Sequence, residues 1–301
     1  MAEYDIAVIG GDKRTAYMVP FFQESGYKVI CFGIQETEEA EMEAKHSIEA
    51  KHSIEAEHSI EAKHSIEADG YAGSLREAVD SADVIVGGIP LEKKGVLDIR
   101  ELSRLIRKRH TIFGGVIPET FRQECGERNI VCCDFMQVES IAVFNAVATA
   151  EGAILEALRH KDTNIHRSKS LVIGYGRCGK VLSDKLKGLS ALVTVCSGSQ
   201  TELALADAYG MQTLALDQLG EKAGEYEYVY NTVPAPLIDE AVLQKMNRDV
   251  LVIDIASGKG GVDYKAAKEL SVHALHCLGL PGKYACRISA RCLTDYVLGH
   301  I

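Results

Sequence analysis

Three glycines, Gly174, Gly176 and Gly179, follow a short apolar run at residues 170–173 and open an amphipathic stretch that reads as a helix. Each position has its own physical demand. The first glycine permits a tight turn, the second lets the backbone approach a pyrophosphate, and the third allows close packing of helix on strand. The helix N-terminus then faces the anion. In a strand–turn–helix context, with Arg177 and Cys178 filling the turn, that chemistry is dinucleotide binding. A glycine turn used for packing alone is the bland alternative.

The end of the next strand decides which dinucleotide is expected. An NAD-preferring site places Asp or Glu there, to bind the ribose 2′-hydroxyl. Here stand Cys196, Ser197, Gly198 and Ser199. Without a carboxylate, a 2′-phosphate is admissible and the hydroxyls of Ser197 and Ser199 are available to donate to it. The expected cofactor is therefore NADP, with NAD also admissible. Ligands of open α/β sheets bind at the carboxyl ends of strands. Three later ends complete the expected cofactor set: Asn231, Thr232 and Pro234; Asp254, Ala256 and Ser257; and Gly279.

A second group of residues suits a small acid. Gly10-Gly11-Asp12-Lys13-Arg14 ends an apolar strand but lacks the third glycine of a dinucleotide turn. Backbone amides and the cations of Lys13 and Arg14 at a helix start suit a carboxylate, and a solvated basic helix start is the equal alternative. Farther along, Glu151 falls on an apolar stripe drawn through Phe144, Ala148, Leu155 and Leu158. A buried carboxylate costs several kcal/mol unless paired or facing a cavity, so Glu151 is a candidate acid or base. A salt bridge to a neighbouring element is the equal alternative.

The elements that must position these residues alternate regularly. Apolar strand candidates at residues 5–10, 27–33, 82–89, 111–117 and 130–135 are separated by helical stretches at 15–25, 74–81 and 99–109. After a helix at 140–160, strands follow at 170–173, 192–196, 211–214, 228–231, 250–255 and 274–278. The fold class is α/β: two doubly wound parallel-sheet, Rossmann-like domains joined by a long helix. The expected division is a substrate-side domain over 1–138, a NAD(P)-binding domain over 139–284 that includes the linker helix, and a closing helix over 285–301.

Composition narrows the function classes. With 47% hydrophobic and 25% charged residues the chain reads as an ordinary globular protein. Residues 36–69 hold eleven acids against three lysines, and so eight of the ten net negative charges. The acidity is local. Nucleic acid is not expected as a partner. Within residues 44–67 the hexapeptide AKHSIE occurs four times, with Glu57 replacing lysine in the third copy. Six residues on a helix advance by about 600°, so Ile48, Ile54 and Ile60 form no stripe and the repeated histidines do not converge on a metal. The repeat reads as a solvated loop expansion, and no metal site is expected. Nine cysteines without pair spacing fit a reducing compartment. The first apolar run is too short to span a membrane, and the expected location is cytoplasmic.

Taken in order, IAVIGGDKR, NAVATAEG, GYGRCG, NTVPAPLI, IDIASGKGGVDY and GLPGK resemble the family of the dipicolinate synthase A subunit over nearly the whole chain except the insert. The resemblance implies NADP-linked oxidation of dihydrodipicolinate to pyridine-2,6-dicarboxylate during sporulation, in the mother cell of a spore-former. A flavoprotein-like B subunit is the implied partner, and a homo-oligomer is compatible. Arg14, Lys259 and Lys283 become candidates for carboxylate binding, with Thr149 and Glu151 lining the cleft. The chain departs from the family at Gly258 and Lys259, where an arginine–proline pair is usual, and at ACRISARC, where Arg287 stands in for a family lysine. Two alternatives stay open: a catalytically silent cofactor-binding or regulatory subunit, and another NAD(P)-dependent dehydrogenase acting on a small acid.

Overall fold

A computed structural model describes residues 2–34 and 67–301 of the chain. All but the last residue of the hexapeptide insert lie outside the described residues. The twelve described strands form two six-stranded sheets, and every pairing within them is parallel. Among the described residues, helices connect strand Ile6–Ile9 to strand Val29–Phe32 and each successive pair of strands from Gly70–Tyr71 onward, as the alternation of apolar runs and amphipathic stretches requires. The chain divides into two units, residues 1–141 with 286–301, and residues 142–285.

The first unit contains β1 (Ile6–Ile9), β2 (Val29–Phe32), β3 (Gly70–Tyr71), β4 (Val84–Gly87), β5 (Thr111–Gly114) and β6 (Val131–Asp134), ordered β3-β2-β1-β4-β5-β6. β1 is buried throughout because it is central and covered on both faces. The order reverses at β1, so a crevice opens beyond its carboxyl end. One sheet face packs against helix Lys13–Glu24 and the last helix, Cys286–Leu298, where Met18, Phe22, Phe113, Phe135, Leu293 and Val297 form a common core. The final helix therefore belongs to the first unit, which is discontinuous in sequence.

The second unit repeats the plan with β7 (Lys169–Ile173), β8 (Leu192–Ser197), β9 (Gln212–Ala215), β10 (Tyr228–Asn231), β11 (Leu251–Asp254) and β12 (His273–His276), ordered β12-β11-β10-β7-β8-β9. Here the reversal falls at β7, the strand that runs into the glycine turn.

Helix Glu139–His160 starts in the first unit and runs into the second. By length and composition it could cross a membrane, but half of its most apolar window is buried, as in a core helix. Its buried column corrects the stripe expected from sequence. Ala146, Ala150, Ala153 and Ala157 are buried, whereas Leu155 and Leu158 are exposed. Small residues let this helix lie close to its neighbours: a Cβ on Gly152 would come within 2.9 Å of Leu280 Cβ. Glu151 sits on the exposed side.

Candidate functional site

The glycine turn leaves β7 at the reversal of strand order and enters helix Arg177–Gly188. Gly174 has φ +89°, in the left-handed region, and a Cβ there would come within 2.5 Å of Thr232 Oγ1. A Cβ on Gly179 would run into the carbonyl oxygen of Gly174. Gly176 differs, because a Cβ there meets nothing within 4 Å. The helix N-terminus also carries no side-chain cap, which leaves its first amides to an external acceptor. Close packing at two glycines and open space at the third is the arrangement a pyrophosphate needs. Arg177 is exposed, Cys178 half-buried, and burial raises the Cys178 thiol pKa, so the thiol is neutral near pH 7.

Neighbouring strand ends are built around two fully buried polar side chains. Asn231 Nδ2 donates to the carbonyl of Val233 at 3.0 Å and to Asp254 Oδ1 at 2.9 Å, while its Oδ1 accepts from Val233 N. Asp254 also accepts from Ala256 N, from Gly261 N at 2.7 Å and from the Tyr264 hydroxyl at 2.8 Å. Their hydrogen-bonding capacity is turned inward. Asn231 and Asp254, expected to touch the cofactor, instead shape the loops on which Thr232, Pro234, Ala256 and Ser257 stand. Thr232 is itself tied to the Ile173 carbonyl at 2.9 Å. Pro234, Ser257, Lys259 and Gly279 are exposed, and Ala256 is buried. His276, at the end of β12, approaches the Ala256 carbonyl at 3.2 Å and lies tilted against the Tyr264 ring.

The end of β8 departs from the sequence expectation. Ser197 is buried and its hydroxyl donates to Glu202 Oε2 at 2.6 Å while accepting from Ser199 N at 3.0 Å. Ser199 caps helix Gln200–Ala208 by accepting from Glu202 N. The Ser197 proton is therefore spent on Glu202, the Ser199 hydroxyl accepts the cap bond, and a carboxylate does stand at this strand end. The signal was present as Ser199-x-x-Glu202, a capping-box spacing that folds Glu202 back over the strand end.

The linker-helix residues are also reassigned. Glu151 pairs with Lys185 at 2.8 Å and its side chain is 60% exposed, because its position faces away from the alanine column. Thr149 donates to the Asn145 carbonyl at 2.8 Å. The buried carboxylate is Glu156, 6% exposed, which receives Lys283 Nζ and the Tyr284 hydroxyl, each at 2.6 Å. Burial opposes ionisation of Glu156, but these two donors outweigh it and lower its pKa. Lys283, expected to bind a ligand, is committed to this pair.

In the first unit Arg14 is buried, and its Nε and Nη2 grip Asp12 while Nη2 also donates to the Ile89 carbonyl at 2.9 Å. Asp12 caps the same helix through Arg14 N. The start of the last helix lies nearby, since the Cys286 thiol feels the charges of Asp12, Lys13 and Arg14 after burial, its main influence. Two helix N-termini and a fixed guanidinium thus gather at one end of the first sheet.

Comparison with known proteins matches residues 5–60 to the N-terminal domain of the dipicolinate synthase A subunit, and residues 144–279 to the D-isomer specific 2-hydroxyacid dehydrogenase NAD binding domain. The dipicolinate synthase A subunit of Bacillus subtilis is 30% identical over 184 residues, 61% of this chain and 62% of that protein. The resemblance to this family is borne out. The aligned stretch spans less than two thirds of that relative's length. Crystal structures of the dipicolinate synthase A subunit from Bacillus halodurans and of the A chain from Bacillus subtilis superpose with TM-scores of 0.77 and 0.76. Both are 23% identical, cover 99% of this chain, and are themselves covered to 97% and 95%, which establishes a shared fold. The second unit is a nicotinamide-dinucleotide domain by the family match, and the two matches together support an NAD(P)-dependent oxidoreductase.

Proposed function

We propose that this chain is the dehydrogenase subunit of a dipicolinate synthase, oxidising dihydrodipicolinate to pyridine-2,6-dicarboxylate with a nicotinamide cofactor, together with a B subunit. The observation that carries the reading is the turn in which Gly174 and Gly179 are closed by packing and Gly176 is open. The bound nicotinamide supplies a hydride acceptor; the substrate loses a hydride and a proton, and aromatisation drives the reaction. Gly174, Gly176, Arg177, Cys178 and Gly179 hold the pyrophosphate side. Thr232, Pro234, Ala256 and Ser257 border the nicotinamide side, positioned by Asn231 and Asp254. Ser197 and Ser199 border the ribose nearest the glycine turn, and Gly279 ends the last strand.

A substrate with two carboxylates needs cations and helix starts. Arg14, held by Asp12, and the gathered N-termini of helices Lys13–Glu24 and Cys286–Leu298 supply one such anchor. In the second unit Lys259 is an exposed cation on the loop after β11.

The engagement of Glu151 and Lys283 in ion pairs favours a second reading, in which the chain binds cofactor and organises the B subunit without its own acid–base group. Following reduction of the cofactor by the purified chain, with enzymatically generated dihydrodipicolinate and with or without the B subunit, separates the two. Reduction that depends on this chain supports the first. Cofactor binding without any reduction supports the second.

A further inference from the structure

We infer that Glu202 is the residue that selects the dinucleotide, and that it selects NAD over NADP. The inference rests on the reading of Gly174–Gly179 as the pyrophosphate turn. Side chains alternate along β8, so Ser197 shares a face with Val193 and Val195, whose core includes Leu182 and Leu186 of the helix opened by that turn. Cys196, pointing the other way, lies in a different core with Leu214. The turn and the strand end are joined directly, because Gly174 N donates to the Cys196 carbonyl at 2.8 Å.

Glu202 thus stands on the turn's side of the sheet, about one helical turn beyond the strand end. Its Oε2 is fixed by the Ser197 hydroxyl, and its Oε1 makes no hydrogen bond among the described residues. A carboxylate oxygen held this way accepts from a ribose 2′-hydroxyl and repels a 2′-phosphate. Ser197 spends its proton on Glu202 and is not a phosphate donor, while Ser199 accepts the helix-capping bond from Glu202 N. Gly198 adds no cation. The strand end is therefore an NAD site whose acid comes from the following helix instead of from the strand.

Calorimetric titration of the full-length chain with NAD and with NADP tests this. The expected result is NAD binding tighter by about tenfold or more, the scale of one charge-assisted hydrogen bond. Glu202→Gln lowers NAD affinity and narrows that preference. Gly198→Arg, which adds a cation where a Cβ has ordinary contact at 3.5 Å from Leu216, raises NADP affinity. That gain cannot arise from misfolding. Tighter binding of NADP by the wild type, or an unchanged preference in Glu202→Gln, overturns the assignment of Glu202 while leaving the pyrophosphate turn standing. Binding of neither dinucleotide overturns the turn itself, and the assignment of Glu202 with it.

Discussion

Lys283 Nζ lies 2.6 Å from the buried carboxylate of Glu156, tying the segment after β12 to helix Glu139–His160. The Tyr284 hydroxyl shares the same carboxylate oxygen, and Arg159 donates to Tyr284 in turn at 2.9 Å. The pair holds in place the element that follows Gly279. Because Lys283 is half exposed and Glu156 is not, the two partners are unequal: loss of the lysine strands a carboxylate out of water.

Replacing Lys283 with Met is expected to destabilise the chain by about 1–3 kcal/mol, less than for a fully buried pair because the lysine side is hydrated. Urea denaturation reads this as a lower midpoint at unchanged slope. An unchanged midpoint would mean that Tyr284 alone satisfies Glu156.

The same pair gives stability a pH dependence. The folded-state pKa of Glu156 is lowered from its ordinary value of 4.5, so its contribution is present above that value and is lost as pH falls through the lower, folded value. Denaturation midpoints measured from neutral pH into the acid range should fall less steeply in Glu156→Gln than in the wild type. Parallel profiles would rule out this carboxylate as a source of the acid sensitivity.

Asp254→Ala removes the acceptor shared by Asn231, Ala256 N, Gly261 N and Tyr264. Leaving several buried donors unpaired should cost about 3–5 kcal/mol. Tyr264→Phe removes one donor and should cost about 1 kcal/mol. Equal losses in the two variants would show that Asp254 does not act as a hub.

Deleting residues 44–67 should leave dinucleotide affinity unchanged, since the turn and its neighbouring loops all belong to residues 142–285. Titration of the shortened chain checks this, and a loss of about tenfold or more would give the repeat a part in the site.

Much of the fold is legible in the sequence because central parallel strands are continuous apolar runs. Ile6–Ile9 and Leu251–Asp254 fall inside the expected segments at 5–10 and 250–255. Polar elements are harder to read. Helix Glu119–Glu127 is absent from the expected elements, since only Phe121 and Cys125 of its nine residues are buried. The helix expected over 99–109 stops at Leu105, where Arg107 Nη1 folds back onto the carbonyls of Arg104, Leu105 and Ile106. In the site, the glycine turn is readable because backbone geometry dictates its residues. The buried carboxylate expected at Glu151 is found at Glu156, because large side chains suggest one stripe, while the buried column is alanine. Glu202 escapes a reading confined to the strand, because a capped helix delivers this acid from five residues beyond Ser197.

The central claim is that a nicotinamide dinucleotide binds against the open Gly176. Calorimetric titration of NAD and NADP into the wild type and into Gly176→Val, with the fold of each checked by circular dichroism, tests it most directly. Saturable binding to the wild type is predicted, with a loss of about a hundredfold or more in a folded Gly176→Val, whose side chain fills the approach to the pyrophosphate. Equal affinities in the two proteins would contradict it.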